Sequence, residues 1–384
     1  MKTQSKLIIY AFSICLSAIS IKASGNEPLL DLLVKKGVLT NSEATAVQTE
    51  LAEDAKASLA VKSKGKETVE LRFNGRVQAQ YDGLAMDGEP STSHFYFRRL
   101  FLGAKAKLNN GVYAESVFDF ARNGSKNNKG ERDYAVNFDK AVIGYTFENG
   151  VTGILGYQKV PFGFEETSFS SKLQTIERSA ANRFFADDID FSSRHMGLHA
   201  KGKLESGFSY AAAFVNSAQG EGSRLLGTAD ASNDMAAYGR IQWKKDDLLV
   251  GLDAGKQSNN SATDSDITAF TGYVNYLIND FNLLGEYFTG DMGDSGDVAG
   301  YALRASYRKG KFEPVLRYSH IKADSFVIDT DELIRRAPSG GTISGTDNEI
   351  NSTYLGLNYY YSKAVTFMAG YEQAEANNGD NSEK

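Results

Sequence analysis

The chain has 384 residues, 42 of them basic and 48 acidic; 41% are apolar, with 37 Gly, 20 Tyr and 23 Phe against 5 Pro and 1 Trp. Aromatic and small residues in that proportion suit a pleated surface, and the slight acidic excess argues against nucleic acid as a partner. No apolar run reaches the roughly 18 residues of a membrane helix, which excludes a helical membrane protein and leaves a membrane barrel open.

Lys2 and Lys6 precede an apolar run from Leu7 to Ile21, and small residues follow at Ala23, Ser24 and Gly25. A basic start, a core too short to span and a small-residue exit describe a secretory signal peptide over 1–25, cut near Ala23 to Gly25. The single cysteine, Cys15, lies in this run, so no disulfide or thiol chemistry is expected of the exported chain. The cut also removes Lys2, Lys6 and Lys22, leaving 39 basic against 48 acidic residues.

Residues 26–66 read as a helical hairpin and linker. Pro28 suits a first helical turn and Gly37 a C-terminal cap; Thr40 with Glu43 forms a capping box ahead of Ala44, Val47, Leu51, Ala55 and Leu59. An oligomerising or docking segment and a solvated spacer both fit, and 61–66 is a Lys/Ser/Gly linker.

From Thr68 the period changes to two. Leu71, Phe73, Val77, Ala79 and Tyr81 alternate with Arg72, Asn74, Arg76, Gln78, Gln80 and Asp82, which calls for a sheet with one wet face. The alternation recurs, predicting strands near 68–82, 93–108, 111–121, 133–147, 150–158, 191–204, 207–215, 234–244, 247–257, 265–278, 280–289, 298–308, 311–322, 350–361 and 364–375. Tight turns at Asn109-Asn110, Glu148-Asn149, Glu205-Ser206, Lys245-Asp246, Asn279, Lys309-Gly310 and Ser362-Lys363 alternate with long connections at 83–92, 122–132, 159–190, 216–233, 258–264, 290–297 and 323–349. Outer-membrane barrels place short turns at the periplasmic end and long loops outside, an asymmetry that a soluble sandwich or propeller has no reason to show.

The expected fold is therefore all-β, a transmembrane antiparallel barrel over 67–384 in the bacterial outer membrane. Tyr145, Phe147, Phe281, Tyr287, Tyr307, Phe312 and Tyr359 to Tyr361 fall near strand ends, as aromatic girdles do. Such barrels use an even number of strands. Fifteen are readable, and the chain runs out in a polar stretch, so the closing strand is taken to be missing.

With the apolar set facing lipid, the opposite set lines the lumen. Thirteen basic residues then point inward: Arg72, Arg76, Arg99, Lys105, Lys107, Lys140, Lys201, Lys203, Arg240, Lys244, Arg304, Arg308 and Arg317. Seven acidic ones oppose them: Asp82, Glu115, Asp119, Asp253, Glu286, Glu313 and Glu372. A lumen of that sign concentrates small inorganic anions. Lys105, Lys107, Lys201, Lys203, Lys244 and Arg308 gather near the periplasmic end.

Several segments resemble the phosphate-selective porins of the O and P type: Phe97-Arg98-Arg99 with Leu102-Gly103-Ala104-Lys105, and Gly156-Tyr157-Gln158-Lys159-Val160-Pro161-Phe162-Gly163. Ser170-Ser171-Lys172, Glu177-Arg178-Ser179 and Arg194-His195-Met196-Gly197-Leu198 add to the likeness, which spans roughly 68–375. The resemblance implies a sixteen-stranded barrel, usually a homotrimer, whose third extracellular loop folds inward as an anion-selective eyelet fed by an arginine ladder. It implies a constriction at 159–190 built from Arg98, Arg99, Ser170, Ser171, Lys172, Lys159 and Arg178, with no cofactor. Arg98 and Arg99 are adjacent, so a regular strand aims only one inward; a bulge, packing under the loop, or a subunit interface would account for the other.

His195 and His199 have the spacing of a helical zinc pair, but four residues of strand span about 13 Å, too far for one metal. No P-loop or nucleophile elbow occurs, and no Ser/His pair shares a strand phase at the membrane rim as a lipid hydrolase would need. The expected function is passive diffusion of small anions, phosphate or polyphosphate among them. A general or oligosaccharide-accepting porin remains as the alternative because Glu165 and Glu166 bring acid into the loop.

Overall fold

The computed structural model describes residues 5–17, 69–86, 89–108, 110–121, 125–126, 132–133, 136–217, 234–328 and 348–377. The helical hairpin and linker expected at 26–66 lie outside the described residues.

Eighteen strands follow in chain order: β1 Ser5–Ser17, β2 Val69–Met86, β3 Glu89–Leu108, β4 Val112–Asp119, β5 Ser125–Lys126, β6 Arg132–Asp133, β7 Asn137–Thr146, β8 Thr152–Lys159 and β9 Arg194–Lys203, then β10 Phe208–Asn216, β11 Met235–Lys245, β12 Leu248–Asn260, β13 Ser265–Ile278, β14 Phe281–Asp291, β15 Asp297–Tyr307, β16 Phe312–Ala323, β17 Glu349–Tyr360 and β18 Val365–Asn377. Sixteen of them close into one barrel in sequence order, all neighbours antiparallel, while β5 and β6 form a small separate hairpin in a long connection. The barrel strands from β2 onward match the fifteen expected from the alternation. Three connections read as long are partly strand: β2 and β3 reach Met86 and Glu89, and only 261–264 and 292–296 separate β12 from β13 and β14 from β15. Polar residues above the girdle continue the ladder there, so polarity marked the membrane edge rather than the strand end.

The sixteenth place is filled from an unexpected source. β2 and β18 are the first and last of fifteen consecutive barrel strands, fourteen steps apart, so both run outward and cannot pair antiparallel with each other. β1 runs the other way between them, in register Ser5↔Ala376 on one side and Ser17↔Arg76 on the other. The closing strand is thus the segment read as a signal core, and the barrel is closed rather than short of a strand. Consecutive apolar residues from Leu7 to Phe12 hide any period of two, which is why the sequence reads there as an export signal.

Leu198, Ile241, Leu252, Leu303 and Leu355 each expose more than half their surface on the outer wall, an apolar belt of the kind a bilayer covers. Ring pairs cluster at its margins: Phe281 with Tyr307 at 4.5 Å and Phe312 with Tyr359 at 5.0 Å at the short-turn end, Tyr81 with Phe95 at 4.7 Å at the other. Tyr360, read with the girdle, instead turns into the lumen and donates its hydroxyl to Glu313.

The buried apolar core lies inside the barrel. Phe162, Phe184, Phe185 and Phe191, from the connection between β8 and β9, pack on inward residues of β13 to β17 such as Ile267, Phe288, Val298, Ile321 and Ile350. Phe185 stacks on Phe288 at 5.3 Å and Phe162 meets Phe191 edge to face at 5.0 Å. Each buried ring contributes on the order of 1.5–3 kcal/mol, which in sum favours the seated loop. Leu252→Arg, a charge placed mid-strand on the lipid face, is expected to destabilise the barrel by about 2–4 kcal/mol, measured by reversible urea unfolding in lipid vesicles.

Candidate functional site

The connection from Val160 to Ser193 leaves β8 through Pro161 and turns at Gly163, whose φ of 80° is one that L side chains rarely adopt. A Cβ there would also meet Asn182 Oδ1 at 3.2 Å. The loop carries two short helices, α1 (Phe164–Thr167) and α2 (Ala180–Arg183), a 3₁₀ turn at Ser170–Lys172 between them and a π turn at Phe184–Asp188.

Its main-chain groups are taken up by the wall. Gly163 N donates to Asp253 Oδ2 at 2.9 Å, and Gly163 O accepts from Arg240 at 3.0 Å; Arg240 and Asp253 themselves form a two-pronged pair at 2.7 and 2.6 Å. Glu286 accepts from Glu165 N at 3.3 Å and Asn182 Nδ2 at 3.0 Å. Farther along, Arg317 donates to Glu177 O at 2.7 Å and pairs with Glu372 at 2.8 Å, and Asn358 donates to Gln174 O at 2.9 Å. The loop therefore reaches walls contributed by β11 to β17.

Charge pairing is denser than the sequence suggests. The β2–β3 register passes from Gln78↔Arg99 to Ala79↔Phe97, so Arg98 is the extra residue of a bulge and both arginines point into the barrel. Both meet Glu177: Arg98 donates to Oε2 at 2.9 Å and Arg99 lies 3.7 Å from the same oxygen. Burial alone would raise the Glu177 carboxyl, but the two guanidinium groups outweigh it and hold it at about 2. Glu166 is held well below the usual carboxylate range in the same way, burial being outweighed by Arg178 at 3.1 Å, Lys159 and Arg183 at 3.5 Å. Arg178 also donates to the carbonyls of Glu165 and Ser168 at 2.9 and 3.0 Å.

The residues expected at the constriction divide into two groups. Lys159, Arg98, Arg99 and Arg178 are tied to loop acids and brace the loop. Ser170, Ser171 and Lys172 sit on its open side, with Ser170 accepting from Arg76. Among the expected lumen cations, Lys105 and Lys140 share Glu115 at 3.8 and 3.0 Å, Arg72 pairs with Glu70 at 2.6 Å, and Arg304 lies 3.7 Å from Glu165. Lys107, Lys201, Lys203 and Lys244 carry no ion pair among the described residues, nor does Arg308, which stacks on Tyr360 at 4.0 Å. Glu177, Asn182 and Arg183 as anchors are not visible in the sequence; the Ser179 to Asn182 spacing, which caps α2, is the one local cue.

His195 bridges the carbonyls of Asn216 and Asp190, each at 3.0 Å, which ties the loop's exit to the next connection. No group of three or more His, Cys, Asp or Glu among the described residues is placed to hold a metal.

A sixteen-stranded barrel, short turns at one end and a connection folded across the lumen are the parts of a porin. Residues 71–187 match the family described as phosphate-selective porin O and P. The span holds four of the five motif segments, from Phe97 to Ser179, on which the sequence resemblance rests; Arg194 to Leu198 lies beyond it. Among solved structures the chain is similar to an anion-selective porin from Comamonas acidovorans, at 16% identity with a TM-score of 0.53, covering 81% of this chain and 99% of that one. It is also similar to the outer membrane channel DcaP of Acinetobacter baumannii (11%, TM-score 0.52, covering 83% and 99%) and to the trimer form of OmpT from Vibrio cholerae (12%, 0.52, 82% and 99%). A protein of Aquifex aeolicus whose name states no function is 26% identical over 357 residues, covering 77% of this chain and 80% of that one. The fold is that of the outer-membrane porins.

Glu177→Gln leaves Arg98 and Arg99 buried beside a neutral amide. Removing one member of a buried pair costs on the order of 3 kcal/mol. The expected result is an intact barrel, shown by unchanged heat-modifiable mobility, whose loop 160–193 is cut faster by trypsin; an unchanged cleavage rate would show that this pair does not hold the loop.

Proposed function

We propose that the protein is an outer-membrane porin for passive diffusion of small inorganic anions, phosphate or polyphosphate among them, along a path beside the inserted loop. The observation that carries this reading is the unpaired lysine wall. Lys107, Lys201, Lys203 and Lys244 come from β3, β9 and β11, face the lumen by register, and form no ion pair among the described residues. Fixed cations in a low-dielectric wall raise local anion concentration and repel cations. The loop's apolar core packs on β13 to β17 and its ion pairs reach β3 at Arg98 and Arg99, while the lysines lie nearer the short turns than those pairs.

The loop acids favour a second reading. Six acidic against three basic residues lie between Val160 and Ser193. They neutralise the arginines that a phosphate eyelet would use, so a general or oligosaccharide-accepting porin with mild anion preference is the alternative.

A homotrimer in outer-membrane lipid is proposed on the family match. Residues 1–25 are proposed as the export signal. A cut at Ala23 to Gly25 and a closing strand at Ser5–Ser17 exclude each other in one molecule, and the first residue of the purified protein distinguishes them.

Planar-bilayer recording under a chloride gradient is expected to give an anion-directed reversal potential, with chloride current falling as phosphate is titrated in. Anion selectivity without inhibition by phosphate supports the general porin, and a cation-directed potential contradicts both readings.

A further inference from the structure

A cavity of about 490 Å³ lies between the short-turn face of the inserted loop and the inward faces of β13 to β18, apart from the lysine wall. Its roof is the loop from Phe164 to Gln174 and its floor includes Asn282, Arg304, Arg308 and Tyr360. Four cations line it, Arg76, Lys172, Arg304 and Arg308, against two acids, Glu165 and Glu313.

Glu313 is already satisfied. It accepts from Gln174 Nε2 at 2.6 Å, Ser306 Oγ at 2.9 Å, Asn358 Nδ2 at 3.3 Å and the Tyr360 hydroxyl. That arrangement fixes the Gln174 amide, because a flipped amide would set its carbonyl against a carboxylate. Gln174 Oε1 is then left buried with no hydrogen-bond partner, and so is Arg304 Nε. Arg304 has partial satisfaction only, from Asn282 at 3.2 Å and Glu165 at 3.7 Å. Lys172 on the roof and Arg308 on the floor have no ion pair among the described residues. An orphaned acceptor, an orphaned donor and two uncompensated cations around one cavity call for a ligand with both hydroxyl donors and anionic oxygens.

Size narrows the class. At about 30 Å³ per water in the liquid, the cavity holds far more than a five-atom oxyanion fills, and it lies within the usual range for small-molecule sites. We infer that this cavity binds a phosphorylated sugar, its phosphate between Lys172 and Arg308 and its hydroxyls toward Gln174 and Asn282. The inference rests on the porin reading for its supply of solute, but the binding itself does not need conduction.

Isothermal titration of the full chain in detergent micelles with glucose 6-phosphate, orthophosphate and glucose tests it. Glucose 6-phosphate is expected to bind more tightly than either of the others. Arg308→Gln on the barrel wall and Lys172→Gln on the loop are each expected to weaken it about tenfold, the scale of one charge-assisted contact, while Lys256→Gln, exposed and outside the cavity, leaves it unchanged. Orthophosphate binding as tightly as glucose 6-phosphate, or two folded cavity variants binding like the unmodified protein, would overturn the inference. Chloride-gradient recording on the same preparation separates the two ideas. A non-selective pore that binds the sugar phosphate sinks the anion-porin reading alone, and an anion-selective pore that does not prefer it sinks the cavity alone.

Discussion

The ion pairs between the acids of the inserted loop and the arginines of the wall decide most of what this barrel can do. Glu177 with Arg98 and Arg99, and Glu166 with Arg178, Lys159 and Arg183, are buried on both sides. A buried pair contributes little net stability against an apolar replacement, but breaking one side is costly. Their consequence is therefore positional: the loop has one seating in which every buried charge is answered. The phenylalanine cluster supplies the burial energy, and the charges select the seating that uses it.

The same pairs redistribute the electrostatics of the lumen. Counting side chains by strand phase gives a strongly positive wall, yet several of those cations are spent on holding the loop. What remains is spatially divided. Unpaired lysines line β3, β9 and β11 near the short turns, and a second group around Arg308 and Lys172 frames the cavity under the loop. Selectivity in this account belongs mainly to the residual charge, since a guanidinium locked to a buried carboxylate presents a much weakened field to a passing ion.

Much of the fold was legible because its signals are local. The period of two from Leu71 to Asp82, and its recurrence, placed the strands and their inward faces; Pro161 and Gly163 marked the loop's departure. The bulge at Arg98 was one of the alternatives left open by two adjacent arginines. Other features depended on contacts across the barrel. Nothing in the string joins Glu177 to Arg98, 79 positions away, or Asn182 to Glu286, 104 away. The segment Ser5–Ser17 supports two readings for a different reason. Leu7 to Phe12 lacks alternation, and a uniformly apolar extended segment is indistinguishable by pattern from an export signal.

The division between spent and unspent cations can be measured directly by reversal potential under a chloride gradient, comparing a Lys201→Gln, Lys203→Gln double variant with an Arg98→Gln, Arg99→Gln double variant. Both remove two positive charges from the barrel interior. The lysine variant is expected to lose the larger part of the anion selectivity. Equal losses, or a larger loss from the arginine pair, would contradict the claim that the unpaired lysine wall sets it.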